Sequence, residues 1–300
     1  MRVVSLLPSA TEILYALGVE PVATSHECDY PSAARELPAV NRSRIDASAS
    51  SAEIDSQVLQ AEREGGVYEI DLDALREADP DLIVTQGLCD VCAVDQVVVE
   101  DAVDRLGLET EILTTDPHSL ADVFDDVGRI GAAVGEDERA AELVGELRER
   151  VEAIREAAAG ADRPRVAVLD WMDPVMTAGH WVPELVEIAG GEYGFDADAS
   201  VPREWEAVRE YDPDVLVVSP CGFDLEQTAD NAADLTDRPG WAELSAVEND
   251  RVYALDGHQF VNRPGPRLVD TLEHLAGLLH PERFERPPRD AARPLARTVA

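Results

Sequence analysis

The sequence predicts an α/β protein: two Rossmann-like lobes joined by a long backbone helix, with a ligand cleft between the lobes. Three observations predict it. Short, almost unbroken apolar runs alternate with helical periodicity, as parallel strands covered on both faces require. The second half repeats the first, "RVAVLD" and "DPDVLVVSPC" answering "RVVSLL" and "DPDLIVTQGLC". Between the halves, "EDERAAELVGELRERVEAIREAAA" spaces its apolar residues as a helix does.

The elements follow in order. Residues 2–6 form the opening strand, and the next helix sets Ile13, Leu14 and Leu17 on one face and stops at Gly18. Helix "LDALREAD" leads into a buried strand at 81–85, and these elements make an N-terminal lobe of residues 1–117. Residues 118–160 are bridging helices, running from Ser119 to Ala158 with a break at Gly135. The second bridge carries apolar residues at Ala141, Leu143, Val144, Leu147, Val151 and Ile154, a helical spacing. About 22 helical residues span roughly 33 Å, enough to connect two lobes. The C-terminal lobe, residues 161–262, has a strand at 165–170 and a helix at 183–191 that answers "TEILYALGV". It continues with a strand within 212–221 and a last strand, "RVYAL". A C-terminal helix within 263–286 starts near Pro266, with Pro264 and Pro266 suited to its first turn, and residues 287–300 are expected to be a flexible tail.

Composition narrows the partners. The chain has 62 acidic and 25 basic residues, a formal net charge of -37, and every basic residue is arginine. Such a surface repels phosphate, which excludes nucleic acid and anionic lipid. It also repels itself unless salt screens it, which points to a halophilic source. Met1-Arg2 is followed by "VVSLL" and then Pro8-Ser9, too short an apolar run for a secretory signal. The expectation is a cytoplasmic monomer, or a cell-surface protein if the true start lies upstream. Cysteines in the cytoplasm stay reduced, so "LCDVCAV" reads as metal-binding or redox before it reads as a disulfide.

Ligands of open α/β sheets bind beyond the carboxyl ends of the strands. That edge selects Pro8 and Ser9, Glu27 in "SHECD", and Gln86 from the first lobe. From the second it selects Trp171, His180, Trp181, Gly222, Phe223, Asn262 and Arg263. All the cysteines fall at the same edge. Cys89 and Cys92 offer two soft ligands from one turn, Cys28 a third, and His26 or Cys221 a fourth, a donor set for zinc or iron. The competing reading is inert, buried thiols. His118, His274 and His280 fall outside the edge. There is no phosphate loop, no G-x-S-x-G and no H-E-x-x-H, so no catalytic set is assigned.

"SLLPSATEILYALG", the paired Asp-Pro-Asp strands, the long bridge and "NRPGPRLVDTLEHLA" resemble the cobalamin-binding proteins of vitamin B12 ABC importers. These belong to a wider group of siderophore, haem and B12 substrate-binding proteins with a helical backbone. The resemblance implies non-catalytic binding of cobalamin, a related corrinoid or a metal chelate between two lobes that move little. It also implies an ABC permease as partner if the protein is exported. Aromatic side chains from both lobes would grip the corrin, with Trp171, Trp181 and Phe223 as candidates, beside Tyr30 and Trp205. His180 is then either a cobalt ligand or a helix-capping residue. Members of that group do not need "HECDYP", "LCDVCAV" or "SPCGFD" to hold ligand. The alternative is therefore a cytosolic thiolate metalloprotein or metal-dependent enzyme using Cys28, Cys89, Cys92 and His26 or Cys221.

Overall fold

In the computed structural model, which describes residues 1–88, 94–195 and 198–295, the N-terminal lobe forms around a parallel sheet. Its elements are β1 (Val3–Ser5), α1 (Pro8–Ala16), β2 (Ala23–Thr24), β3 (Asn41–Ser43), α2 (Ser51–Arg63), β4 (Tyr68–Ile70), α3 (Leu72–Ala78), β5 (Leu82–Gln86), α4 (Gln96–Leu106) and β6 (Glu111–Thr115). The sheet order is β2-β1-β5-β6, and β3 and β4 pair apart as a two-stranded antiparallel sheet. Every residue of β1 and β5 is buried, as unbroken apolar runs between two helix layers require. Two bridging helices follow, α5 (Leu120–Val134) and α6 (Asp137–Ala158). Gly135 breaks them as expected: it caps α5 at φ 80°, a conformation glycine reaches without strain.

The C-terminal lobe comprises β7 (Arg165–Met172), β8 (Val175–Thr177), α7 (Val182–Ile188), β9 (Glu192–Tyr193), β10 (Val201–Pro202), α8 (Trp205–Tyr211), β11 (Val215–Val218), α9 (Leu225–Asp230), α10 (Ala233–Thr236), α11 (Ser245–Glu248), β12 (Val252–Leu255), α12 (Leu268–Leu279) and β13 (Ala292–Pro294). The sheet order is β10-β8-β7-β11-β12-β13, with β9 on β7. The expected flexible tail is corrected here. β13 pairs antiparallel with β12, Leu255 opposite Ala292, and Ala291, Ala292 and Leu295 are buried. The free edge of β12 offers unpaired backbone groups, and a short run satisfies them despite its Pro- and Arg-rich surroundings.

The internal repeat extends to atoms. The Arg2 backbone N–H donates to Asp81 Oδ2 at 2.6 Å, and the Arg165 N–H to Asp214 Oδ2 at 2.8 Å. Each aspartate returns its own N–H to the arginine carbonyl at 2.8 Å. The first aspartate of each Asp-Pro-Asp ends the preceding helix in the left-handed region, Asp79 at φ 41° and Asp212 at φ 47°. One apolar core runs through both lobes. Ile13 of α1, Val127 and Ile130 of α5, Leu147 of α6, Leu185 of α7 and Leu272 of α12 all belong to it. The bridge is thus part of the core and not a tether.

Candidate functional site

The loop after β2 is fixed from three sides. The Ser25 N–H donates to the Ser5 carbonyl of β1 at 2.8 Å. The His26 N–H and Nδ1 both lie at hydrogen-bond distance from Asn41 Oδ1, 3.0 and 3.1 Å, while Nε2 is 3.0 Å from Glu27 Oε1. Burial favours the neutral ring, but hydrogen bonds to Glu27 and Asn41 outweigh it and raise the His26 pKa. When the ring is protonated, both nitrogens donate. The same bond holds the Glu27 carboxyl below its ordinary value.

The next residues tie this loop to the opposite lobe. Asp29 accepts from Arg263 Nη1 at 2.6 Å and stands 3.0 Å from His258 Nε2, with Arg35 at 3.2 Å. Burial would raise the Asp29 carboxyl, but His258 and Arg263 prevail and hold it well below the usual range. Arg263 also reaches Glu12 Oε1 of α1 at 3.3 Å, and Arg267 reaches the same oxygen at 3.4 Å. Arg267 lies between two aromatic faces, Tyr30 at 4.3 Å and Phe260 at 4.8 Å. A cavity of about 430 Å³ opens at this seam, lined by His26, Glu27, Cys28, Asp29, Arg35 and His258, among others.

The other expected residues divide. Glu27, His26 and Arg263 belong to the seam, and so does Ser9, whose backbone packs 3.2 Å from where a Cβ on Gly265 would stand. Pro8 begins α1 beside it, and Gln86 is buried at the end of β5. Asn262 donates to the Gly257 carbonyl at 3.2 Å, holding the loop that carries His258. Gly222 adopts φ 80°, and the carbonyl of the next residue, Phe223, accepts the N–H groups of Gly257 and His258.

The aromatic expectations need correction. Trp181 is 5% exposed and donates Nε1 to the Val261 carbonyl at 2.8 Å, so it is a core residue. Phe223 is 2% exposed and meets the buried Trp171 edge-on at 5.1 Å. Trp205 is also buried, stacked on Trp241. Tyr30 alone of these is open, at 49%. His180, held at φ 55°, is half-buried, and its Nδ1 lacks a partner among the described residues. His118, set aside on sequence grounds, lies against it with ring centres 5.5 Å apart.

The thiols do not assemble as a metal site among the described residues, where no cluster of three or more His, Cys, Asp or Glu side chains is arranged to hold an ion. Cys28 points inward. Its sulfur lies 3.0 Å from Thr11 Oγ1, and burial pushes the thiol up to about 12. In this arrangement Cys28 packs as a small, buried residue against Thr11. Cys221 is partly exposed, its N–H held by the Asp170 carbonyl at 3.0 Å. Cys89 and Cys92 lie outside the described residues.

Sequence reasoning missed Asp29, His258, Arg35, Arg267 and Glu12 as one network. The strand-edge rule places their loops together, but only the fold pairs residues 229 or more positions apart, as His258 with Asp29.

Residues 3–258 match the periplasmic binding protein family. The chain belongs to that family. An uncharacterised ABC transporter substrate-binding lipoprotein of Bacillus subtilis is 25% identical over 294 residues, 95% of this chain and 81% of that one. The vitamin B12-binding protein of Vibrio cholerae is 28% identical over 282 residues, 93% of this chain and 88% of that one. The crystal structure of the periplasmic vitamin B12-binding protein of Vibrio cholerae superposes with a TM-score of 0.67 at 25% identity, covering 93% of this chain and 96% of that one. The predicted fold class is therefore correct, as is the expectation of a substrate-binding protein.

Proposed function

We propose that this binding protein holds cobalamin or a related corrinoid as cargo in the seam between its lobes. One observation carries the reading. The family's two-lobed fold places a polar cavity, walled by His26, Glu27 and Asp29 of one lobe and His258 of the other, at the carboxyl edge of the strands. Relatives named as vitamin B12-binding proteins align across 93% of the chain. Corrinoids carry a rim of amide side chains. The Glu27 carboxylate accepts from amide N–H groups, while the exposed ring of Tyr30 offers a face for the apolar edge of the macrocycle. The reading assigns no chemistry to the protein beyond binding and orienting. An ABC permease of the kind that such binding proteins serve is the macromolecular partner that we propose.

Purified protein in concentrated KCl is mixed with cyanocobalamin and passed through a sizing column. The expected outcome is co-elution at one corrinoid per chain with a shifted absorption spectrum, weakened about tenfold by Glu27→Ala, which removes roughly 1.4 kcal/mol. Retention of haem but not of any corrinoid would assign the seam to a different planar chelate.

A further inference from the structure

The residues between β3 and β4 leave their own lobe. Their roots are N-terminal: β3 pairs with β4, the Arg44 N–H donates to the Val67 carbonyl at 2.9 Å, and Arg44 pairs with Glu69 at 3.0 Å. Their middle lies on the C-terminal lobe. Ile54 of α2 is 8% exposed and belongs to the same apolar cluster as Trp171, Met172, Phe223 and Leu225, with Ile45, Ala49 and Val58 packed against it. Polar clips hold the tip. Ser51 Oγ bonds Asp234, the Ser51 N–H donates to Asn231 Oδ1 at 3.4 Å, and Gln227 Nε2 donates to the Ala47 carbonyl at 2.6 Å. α2 packs on β7, whose last residues are Trp171 and Met172. Asp55 stands near enough to Asp173, just past that strand, for the second charge to add to the effect of burial in raising its carboxyl. α2 therefore lies at the carboxyl end of the central strand of the C-terminal sheet, against the cluster that holds the aromatic residues expected to face ligand.

We propose that α2 and its connecting segments form a hinged cover over the C-terminal wall of the ligand site. That a corrinoid is what opens it rests on the function proposed above. Three features support the cover. The open cavity, about 430 Å³, is lined by residues of the N-terminal lobe and by His258, with neither Trp171 nor Phe223 reaching it, so an aromatic wall becomes available to cargo only if a covering element moves. The lobes are poor candidates for that movement, because one core runs through α1, α5, α6, α7 and α12 and Arg263 clamps Glu12 and Asp29 across the seam. The α2 segment is held on the far lobe by Ile54, three partly buried apolar side chains and a few hydrogen bonds. The turn between α2 and β4 holds Gly65-Gly66, at φ 105° and 106°, where nothing lies within 4 Å of an added Cβ. Glycine reaches that conformation freely, which suits a hinge. Release of α2 would expose Trp171 and Phe223, and a planar ligand would find the aromatic wall that the closed form covers.

Hydrogen exchange of the ligand-free protein tests the cover without any ligand. The amides of α2 should open as a unit, at least tenfold more often than those of β7 and α6. Equal protection of α2 and β7 would overturn the proposal. Ile54→Asp should raise the cyanocobalamin association rate about tenfold by populating the open form, and Ser51→Ala should act in the same direction with a smaller effect. Corrinoid binding to the parent with α2 protection unchanged would also overturn it. If α2 opens independently and neither the parent nor Ile54→Asp retains cyanocobalamin, the cover stands and the corrinoid reading falls.

Discussion

At the scale of single residues, Arg263 carries most of the seam. It is 5% exposed and reaches two carboxyl groups of the other lobe, Glu12 and Asp29. Removing one member of a buried charge network leaves the others unpaired, which costs roughly 3 kcal/mol or more. Arg263→Ala should lower the unfolding free energy by about that amount in urea titrations; a loss under about 1 kcal/mol would mean that water already screens the network. Glu12 gives a pH signature. Burial, with one oxygen left without a partner, pushes its carboxyl up to about 7 despite the pull of Arg267 and Arg263. The folded protein then holds this proton more tightly than the unfolded chain does. The resulting stabilisation is complete below about pH 4.5 and is lost as pH rises through about 7, a change of roughly 3 kcal/mol. The stability of the parent minus that of Glu12→Gln should fall by roughly this much from pH 4.5 to 8; a pH-independent difference would show that the carboxylate is ionised throughout. Cys28 supplies the last test at this scale. Its buried, protonated thiol should escape iodoacetamide in the native state while the partly exposed Cys221 is labelled, as peptide mass mapping would report.

At the scale of elements, the two Asp-Pro-Asp turns look alike but do different work. Asp79 and Asp212 both hold the left-handed conformation, which glycine adopts more easily. The Asp212 carboxylate also accepts the Ser245 N–H and hydroxyl, each at 2.8 Å, and so anchors α11. Asp79→Gly should therefore change stability by less than about 1 kcal/mol, whereas Asp212→Gly should cost about 1–3 kcal/mol. Equal effects in chemical unfolding would show that the turn alone matters. The same pair explains what was legible in the sequence. β1, β5, β7, β11 and the helices α1, α3, α5, α6, α7 and α12 were readable because each carries its own apolar period, and several carry their own stop, such as Gly18 or Gly135. β13 was not, because its partner edge lies far back in the chain and its composition imitates a tail. The strand-edge rule found the loops of the site but not the directions of their side chains. Cys28 turns inward to Thr11, and Trp181, following the left-handed His180, turns into the core. The destination of α2 was invisible for a different reason: its own periodicity states which face is apolar, not which lobe that face covers.

At the scale of the whole molecule, charge is the dominant fact. The chain carries a formal net charge of -37, and although many of its arginines pair with carboxylates, some also hold backbone carbonyls at helix ends. Arg283 donates to the carbonyls of Ala157, Ala159 and Gly160 at the end of α6, and Arg251 to those of Leu278 and Leu279 at the end of α12. A planar guanidinium can span several carbonyls at once, which a lysine ammonium on its flexible stem does less well. Meanwhile α6 carries Asp137, Glu138, Glu142, Glu146, Glu149, Glu152 and Glu156 along one helix, with Arg139, Arg148, Arg150 and Arg155 as partial compensation. The folded state holds these like charges closer together than the unfolded chain does, so their repulsion opposes folding. Salt relieves it over a known range: the screening length falls from about 10 Å at 0.1 M to about 3 Å at 1 M, below the spacing of helix-surface carboxylates. The thermal midpoint should therefore rise by on the order of 10 °C between about 0.1 and 1 M KCl and then flatten, because little repulsion remains to screen. A general preferential-exclusion effect would instead keep raising the midpoint with concentration, and sucrose would reproduce it. Melting curves in KCl and in sucrose separate the two; a midpoint insensitive to KCl below about 1 M would show that the surface charge does not limit stability.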